Sequence, residues 1–173
     1  MLEADISQFL TVPQMQAFVN ANDWVWPVCE MVHYVGMSLV IGIIGTLDLR
    51  ILGLFKSIPI AALRPLVPWA IVGFIANLFT GIVFVTGTNQ GAAFYIDNLS
   101  FHLKMLFILL AIGNLAAFRL SGVEKKVYAT PAGADAPKAA KAFAAFSLTA
   151  WVVVIAFGRL LMYNDTLLLF LGL

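Results

Sequence analysis

The chain has 173 residues, of which 62% are hydrophobic and only 11% are charged, with a net charge of +1 and a mean hydropathy of +0.96. Soluble domains are about half apolar and about a quarter charged, so this composition excludes them and indicates an integral membrane protein. The partner that the composition requires is the lipid bilayer, and no nucleic-acid partner is predicted.

The first 23 residues precede every apolar run of membrane-spanning length. They lack the basic region of a cleavable signal peptide. Apolar and polar residues alternate irregularly here, which predicts an interfacial leader over 1–23 whose short helices lie on the bilayer surface. The apolar residues of this leader are Ile6, Phe9, Leu10, Met15, Phe18 and Val19.

Four apolar stretches follow, and each reaches the ~20 residues that cross a hydrocarbon core as a helix. They predict helices over about 25–54, 66–88, 99–120 and 141–163 within a single transmembrane domain, 1–173. Because the runs are continuously apolar, the predicted fold class is all-α, an integral membrane four-helix bundle. Small residues recur every four positions in the first two helices and predict close packing within the bundle or between protomers of a homo-oligomer: Ser38, Gly42 and Thr46, then Gly73, Asn77 and Gly81.

The distribution of positive charge predicts the orientation in the membrane. Lysine and arginine are concentrated around the first and third connections, at Arg50, Lys56, Arg64, Arg119, Lys125, Lys126, Lys138 and Lys141. Both connections are therefore predicted to be cytoplasmic, the third as a mobile loop over 121–140. Both termini are predicted to face outward, into the periplasm at a bacterial inner membrane. At the inner boundary, Asp48, Arg50 and Arg119 are predicted to form a charge network that fixes the helix ends.

Ionisable residues inside apolar helices are the candidate functional residues, because they are costly at membrane depth. Glu30 and His33 lie one turn apart on one face of the first helix, in its outer half. His102 and Lys104 open the third helix from the same side, and Arg159 lies near the outer end of the fourth. The sequence therefore predicts that these five residues converge on one layer.

Each member of this layer has a structural alternative. The long stems of Lys104 and Arg159 allow both to reach the headgroups, and Glu30 would pair with either cation to hold helices together. His102 lies close to the interface, where its alternative is a hydrated structural histidine. His33 lies about eight residues, or ~12 Å of helix, below the outer edge, and is the strongest candidate for a ligand. Its structural alternative is a neutral histidine hydrogen-bonded to a neighbouring residue.

Haem b held in a four-helix bundle accounts for these residue types, because a neutral imidazole binds iron axially and cations neutralise the propionates. His33 is the predicted iron ligand and His102 the second one, while Lys104 and Arg159 bind propionates. Glu30 would orient a ligand or relay a proton. Such a protein would work in electron transfer or redox chemistry with a redox partner protein. The aromatic residues available for the macrocycle pocket are Phe74, Phe79, Phe84, Phe101, Phe107 and Trp151.

Copper is the alternative cofactor, since soft sulfur together with imidazole favours copper(I). The chain would then be a copper-binding or copper-transport membrane protein. A third alternative is a structural accessory subunit without a cofactor, in which the polar layer only locks the helices together. The sulfur atoms near His33 or near outer helix ends belong to Cys29, Met31, Met37, Met105 and Met162.

Motifs covering nearly the whole chain carry a family resemblance: Trp26-Pro27-x-x-Glu30-x-x-His33-Tyr34-x-Gly36, Gly45-x-x-Asp48-Leu49-Arg50-x-Leu52-Gly53, Phe101-x-x-Lys104, Ser147-x-x-x-Trp151 and Gly158-Arg159-Leu160. They resemble the first, third and fourth helices of a bacterial four-helix inner-membrane family of unknown function. The chain is more distantly similar to CopD-type copper-resistance membrane domains and to HemJ-type protoporphyrinogen oxidases. The HemJ resemblance implies a haem ligand in His33 and a functional partner in Lys104. The HemJ arginine and histidine pattern is not reproduced, so the resemblance does not imply porphyrinogen oxidation.

Overall fold

The computed structural model describes residues 12–172, so part of the predicted leader, 1–11, lies outside the described residues. Within the described range the chain is helical without strands, and four helices are long and apolar enough to cross a membrane. The predicted all-α class is therefore confirmed. The helices are α1 (Pro13–Ala21), α2 (Val25–Leu52), a 3-10 helix (Ile60–Leu66) leading into α3 (Val67–Gly87), α4 (Ala93–Ile96), α5 (Leu99–Leu120), α6 (Val123–Tyr128), α7 (Lys138–Leu160), a second 3-10 helix (Leu161–Tyr163) and α8 (Asn164–Leu171).

The four long helices form two antiparallel pairs, and the two pairs are joined by contacts between one helix of each, α2 and α7. Helix α2 packs mainly against α3, and α5 packs mainly against α7. Helices α3 and α5 therefore flank the bundle and present apolar side chains outward, as a lipid-facing surface requires. The largest exposed ones are Ile71, Ile75, Leu78, Phe79, Ile82, Leu106, Leu109 and Leu110.

Local sequence explains where the long helices begin and end. Helix α2 stops at Gly53, which has a φ of +113° and donates its backbone N–H to the carbonyl of Arg50. Glycine adopts this left-handed conformation without the steric cost that a Cβ brings. Helix α5 begins after Asn98, whose side chain accepts a hydrogen bond from the Phe101 N–H at 3.2 Å, as an N-cap residue does.

Helices α2 and α3 approach each other closely at Gly36 and Gly73. A Cβ built on Gly36 would come within 2.6 Å of the Gly73 carbonyl oxygen, and a Cβ on Gly73 equally close to that of Gly36. The predicted role of Gly73 and Asn77 in close packing is confirmed, since both lie at this crossing. Gly42 and Gly81 make no close contact within the bundle, because a Cβ on either would meet nothing within 4 Å. For these two glycines, packing between protomers stays a prediction.

We call the end of the bundle that contains connections 53–66 and 121–137 the basic end. Arg50 organises it. This side chain is fully buried at 0% exposure and donates hydrogen bonds to the carbonyls of Ile58 (2.6 Å), Lys56 (3.3 Å) and Ala134 (3.3 Å). Arg50 therefore ties both connections to the end of α2. The predicted charge network is not formed, because in the described range Asp48 makes no ion pair and Arg119 lies 3.8 Å from Glu124.

The third connection is packed rather than the mobile loop that its composition predicted. Val127 and Ala136 are buried in a cluster with residues of α2, α7 and the 3-10 helix. The Gly133 N–H donates to the Lys56 carbonyl at 2.7 Å, and the Asp135 carboxylate bridges Lys56 and Lys141 at 2.9 Å each. These contacts with the first connection hold the third connection in place, and they cannot be predicted from its amino-acid composition.

The Asp135 bridge should respond to acid. Hydrogen bonds and charge from Lys141 and Lys56 lower the Asp135 pKa from 3.8 to about 2. Because the folded-state pKa is depressed, the bridge is complete above about pH 4 and is lost as pH falls through about 2. Carbon-13 NMR titration of the labelled carboxyl should give a midpoint near 2 that rises in both Lys56→Ala and Lys141→Ala. An unchanged midpoint in both variants would contradict the bridge.

The opposite end, which we call the acidic end, carries Asp23, Asp97 and Asp165. Side-chain hydrogen bonds fasten its segments. The Asn98 amide donates to the Leu161 carbonyl at 2.9 Å, and the Leu99 N–H donates to the Asn164 side chain at 3.1 Å. The ends of α5 and α7 are thus fixed to each other at this end.

Candidate functional site

His33 is held in one orientation by α3. The half-buried ring places Nδ1 2.7 Å from the Thr80 hydroxyl oxygen, and Thr80 itself is 2% exposed. The same hydroxyl lies 2.8 Å from the Ala76 carbonyl, to which it donates its single proton. The Thr80 oxygen therefore accepts a hydrogen bond from His33 Nδ1–H. In the neutral ring this leaves the lone pair on Nε2, which has no hydrogen-bond partner among residues 12–172.

Asn77 fixes the backbone that carries His33. With the Asn77 amide oriented so that both of its groups are satisfied, the side-chain nitrogen donates to the His33 carbonyl at 2.6 Å and the oxygen accepts from the Met37 N–H at 3.0 Å. Gly73, Asn77 and Thr80 lie at helical spacing on the face of α3 that meets α2. The close approach at Gly36 brings that face near enough to α2 for the side chains of Asn77 and Thr80 to contact it.

Aromatic rings form one side of the His33 site. Phe84 of α3 lies 5.4 Å from the His33 ring and 5.1 Å from the Trp26 ring, measured between centroids. The Trp26 indole N–H donates to the Glu30 carboxylate at 3.0 Å. Glu30 itself is exposed and makes no ion pair in the described chain. The structure therefore links Glu30 to the site through Trp26, and its predicted pairing with Lys104 or Arg159 is not formed.

Lys104 of α5 lies close enough to His33 for an electrostatic interaction, without a hydrogen bond between them in the described range. Its stem lies against Gly158 of α7, where a Cβ would be 3.7 Å from Lys104 Nζ. The missing side chain at Gly158 leaves the space for this stem. Between residues 12 and 172, Lys104 has no hydrogen-bond or ion-pair partner. A half-buried ammonium without a counter-charge favours an anionic ligand beside it.

The other two predicted residues point elsewhere. His102 is exposed, and it lies two positions from Lys104, a step that turns a side chain to nearly the opposite helix face. Arg159 is also exposed, and its guanidinium lies over the Tyr163 ring at 5.8 Å. Lys104 thus lies within electrostatic range of His33, and Glu30 lies at the edge of the same site. His102 and Arg159 are exposed and make no contact with His33 in the described range.

Sequence reasoning missed Thr80 and Gly158. Thr80 lies seven residues before the end of α3 at Gly87, and His33 lies eight residues after the start of α2 at Val25. In paired antiparallel helices, two residues at nearly the same depth can face each other. This similarity in depth could have predicted that the Thr80 hydroxyl lies opposite the His33 imidazole. Gly158 carried no such signal, because its role depends on the contact between α5 and α7.

The sulfur atoms are dispersed. Cys29 packs against the valine cluster of Val19, Val25 and Val83, and Met31, Met105 and Met162 are 58%, 40% and 73% exposed. Within the described residues there is no group of three or more histidine, cysteine or carboxylate side chains able to hold a metal ion.

A pocket of about 430 Å³ opens at the acidic end, and none of the five predicted site residues lines it. Its polar residues are Gln90, Asp97, Asn98, Asn164 and Asp165. The His33 site is separate from this pocket and lies on the α2–α3 face described above.

Fold and site together define an all-helical protein of the membrane-spanning class. Its candidate site combines an oriented imidazole at His33 with the Lys104 ammonium, which has no ion-pair partner among residues 12–172. No family model, curated protein or solved structure matches the chain significantly.

Proposed function

We propose that the chain is a membrane protein that binds haem b, with His33 Nε2 as the atom that would bind the iron. The observation that carries the proposal is the hydrogen bond from His33 Nδ1–H to Thr80 at 2.7 Å. A histidine that ligates a metal through one nitrogen commonly donates its other N–H to a fixed acceptor, which sets the tautomer and the ring orientation. Haem, when bound, supplies reversible one-electron chemistry at its iron.

Lys104 supports haem through its charge. Haem carries propionate carboxylates, and the unpartnered Lys104 ammonium would bind one of them through a charge-assisted hydrogen bond. Phe84 and Trp26 supply apolar surface next to the ring. We assign the propionate contact to Lys104 in preference to Arg159, whose guanidinium lies over Tyr163.

Haem fits this donor set better than copper does. The macrocycle supplies four nitrogen ligands itself, so a single imidazole is enough to fix it. Copper(I) needs several soft ligands from the protein, and the methionine sulfur atoms near the outer helix ends belong to exposed residues. His102 is exposed, so the proposal takes His33 as the single histidine ligand.

The proposed setting is a bacterial inner membrane. The basic end would face the cytoplasm because lysine and arginine are retained on that side, and the acidic end with both termini would face the periplasm. His33 lies in the half of α2 nearer the acidic end. Electron exchange with a redox partner protein would therefore take place on the periplasmic side.

Absorption spectra of the detergent-purified protein test the proposal. The wild type should show a Soret band, and His33→Ala should lose or shift it, while the matched control His102→Ala should keep it. Thr80→Val keeps the side-chain shape but removes the acceptor for Nδ1–H, and it should lower haem affinity by about 10–100-fold. A folded wild type without a cofactor would support the structural accessory role, and stoichiometric copper without a Soret band would support the copper protein.

A further inference from the structure

Asp48 is a buried carboxyl in the half of α2 nearer the basic end, far from the His33 site. It is 6% exposed, and its Oδ2 atom has no hydrogen-bond partner in the described residues. Fifteen residues separate it from His33, which is ~22 Å along the helix. The feature is therefore independent of the proposed haem site.

Ser147 of α7 is the polar side chain that interacts with this carboxyl across the interface between the two central helices, α2 and α7. A hydroxyl both donates and accepts, so Ser147 can bond to either protonation state of a carboxyl. Within the described residues no group of three or more histidine, cysteine or carboxylate side chains includes Asp48, so the side chains around it do not form a metal site.

No cation in the described residues forms an ion pair with Asp48. Arg50, two residues away, directs Nε and Nη2 to three backbone carbonyls of the connections, while its buried Nη1 atom has no hydrogen-bond partner in that range. Lys56 and Lys141 bind Asp135, Arg119 lies beside Glu124, and Arg64 lies over the Tyr128 ring at 5.3 Å. The remaining cations of the basic end are exposed: Lys125, Lys126 and Lys138.

An ionised carboxylate without a cation is costly in a low-dielectric interior, and the smallest charge that removes this cost is a proton. We propose that Asp48 is a proton-binding site, held as a carboxylic acid beside Ser147 and exchanging its proton with water at the basic end. Proton uptake forms the O–H bond on the Asp48 carboxylate and neutralises it. Release returns the proton to that aqueous phase.

Infrared spectroscopy of the full-length protein in lipid vesicles tests this site. At neutral pH the wild type should show the carbonyl band of a protonated carboxylic acid, and the band should shift when water is replaced by D2O. Asp48→Asn should lose the band, and its fold should be retained because the amide has the shape of the neutral acid. Ser147→Ala should shift the band, whereas the matched control Asp165→Asn, at an exposed carboxyl of the acidic end, should leave it unchanged.

Three results would overturn the proposal. One is an Asp48→Asn spectrum identical to that of the wild type, which would show that Asp48 is ionised at neutral pH. Another is a band that does not shift in D2O, which would show that the proton does not exchange with solvent. The third is loss of the band on adding sodium at constant pH, which would identify a metal-cation site instead.

Discussion

Arg50→Met is expected to destabilise the protein by about 3 kcal/mol or more. Methionine preserves most of the buried volume but removes every donor that the guanidinium supplies. The carbonyls of Ile58 and Ala134 would lose hydrogen bonds in a region where Arg50 is 0% exposed. Each buried polar group left without a partner costs about 1–3 kcal/mol, and both connections of the basic end would lose their link to α2.

Unfolding in mixed micelles, followed by circular dichroism, measures this loss. Arg119→Met is the matched control, because the Arg119 side chain is 49% exposed and its ion pair with Glu124 is long at 3.8 Å. An exposed pair contributes about 0–1 kcal/mol, so the control should remain close to the wild type. Equal stability of the two variants would contradict the role of Arg50 at the basic end.

Gly36→Ala is the second large effect expected, and it should reach the site as well as the fold. The new Cβ would lie 2.6 Å from the Gly73 carbonyl oxygen and 2.9 Å from the Asn77 side chain. A backbone oxygen cannot rotate away, so α2 and α3 must separate, and overpacking of this kind costs about 1–3 kcal/mol. Separation would also lengthen the contact between His33 and Thr80.

Gly42→Ala on the same helix is the matched control for Gly36→Ala, because a Cβ there meets nothing within 4 Å. Alanine is a better helix former than glycine by up to about 1 kcal/mol, so this variant should be neutral or slightly stabilised. The same unfolding titration compares the two. If Gly36→Ala is as stable as Gly42→Ala, the close crossing of α2 and α3 is wrong.

The sequence predicted the membrane helices because each is a continuous apolar run, a local property that needs no knowledge of helix pairing. It also identified His33 and Lys104 as unusual, since ionisable side chains inside such runs are costly. Their convergence needs the contacts between α2, α3, α5 and α7, which one sequence does not contain. The exposure of His102 could not be predicted for the same reason. The sequence shows how deep a residue lies along its helix, but not which side of the helix faces the other helices.

The details of the site depend on pairing register. Thr80 meets His33 because the Gly36 crossing fixes how α3 slides along α2. Hydrophobic pattern alone does not set that register. The buried role of Arg50 was hidden for a related reason: its acceptors are backbone carbonyls of connections, one of them 84 residues away. The positions of backbone carbonyls cannot be predicted from the types of side chain in the sequence.

The central claim is that His33 Nε2 is free to bind iron, and imidazole rescue tests it most directly. His33→Gly removes the ligand and leaves space for free imidazole to replace it. The account predicts that the purified wild type has a Soret band, that His33→Gly reconstituted with haem loses the wild-type spectrum, and that added imidazole restores it. A wild-type spectrum retained by His33→Gly without imidazole would contradict the claim.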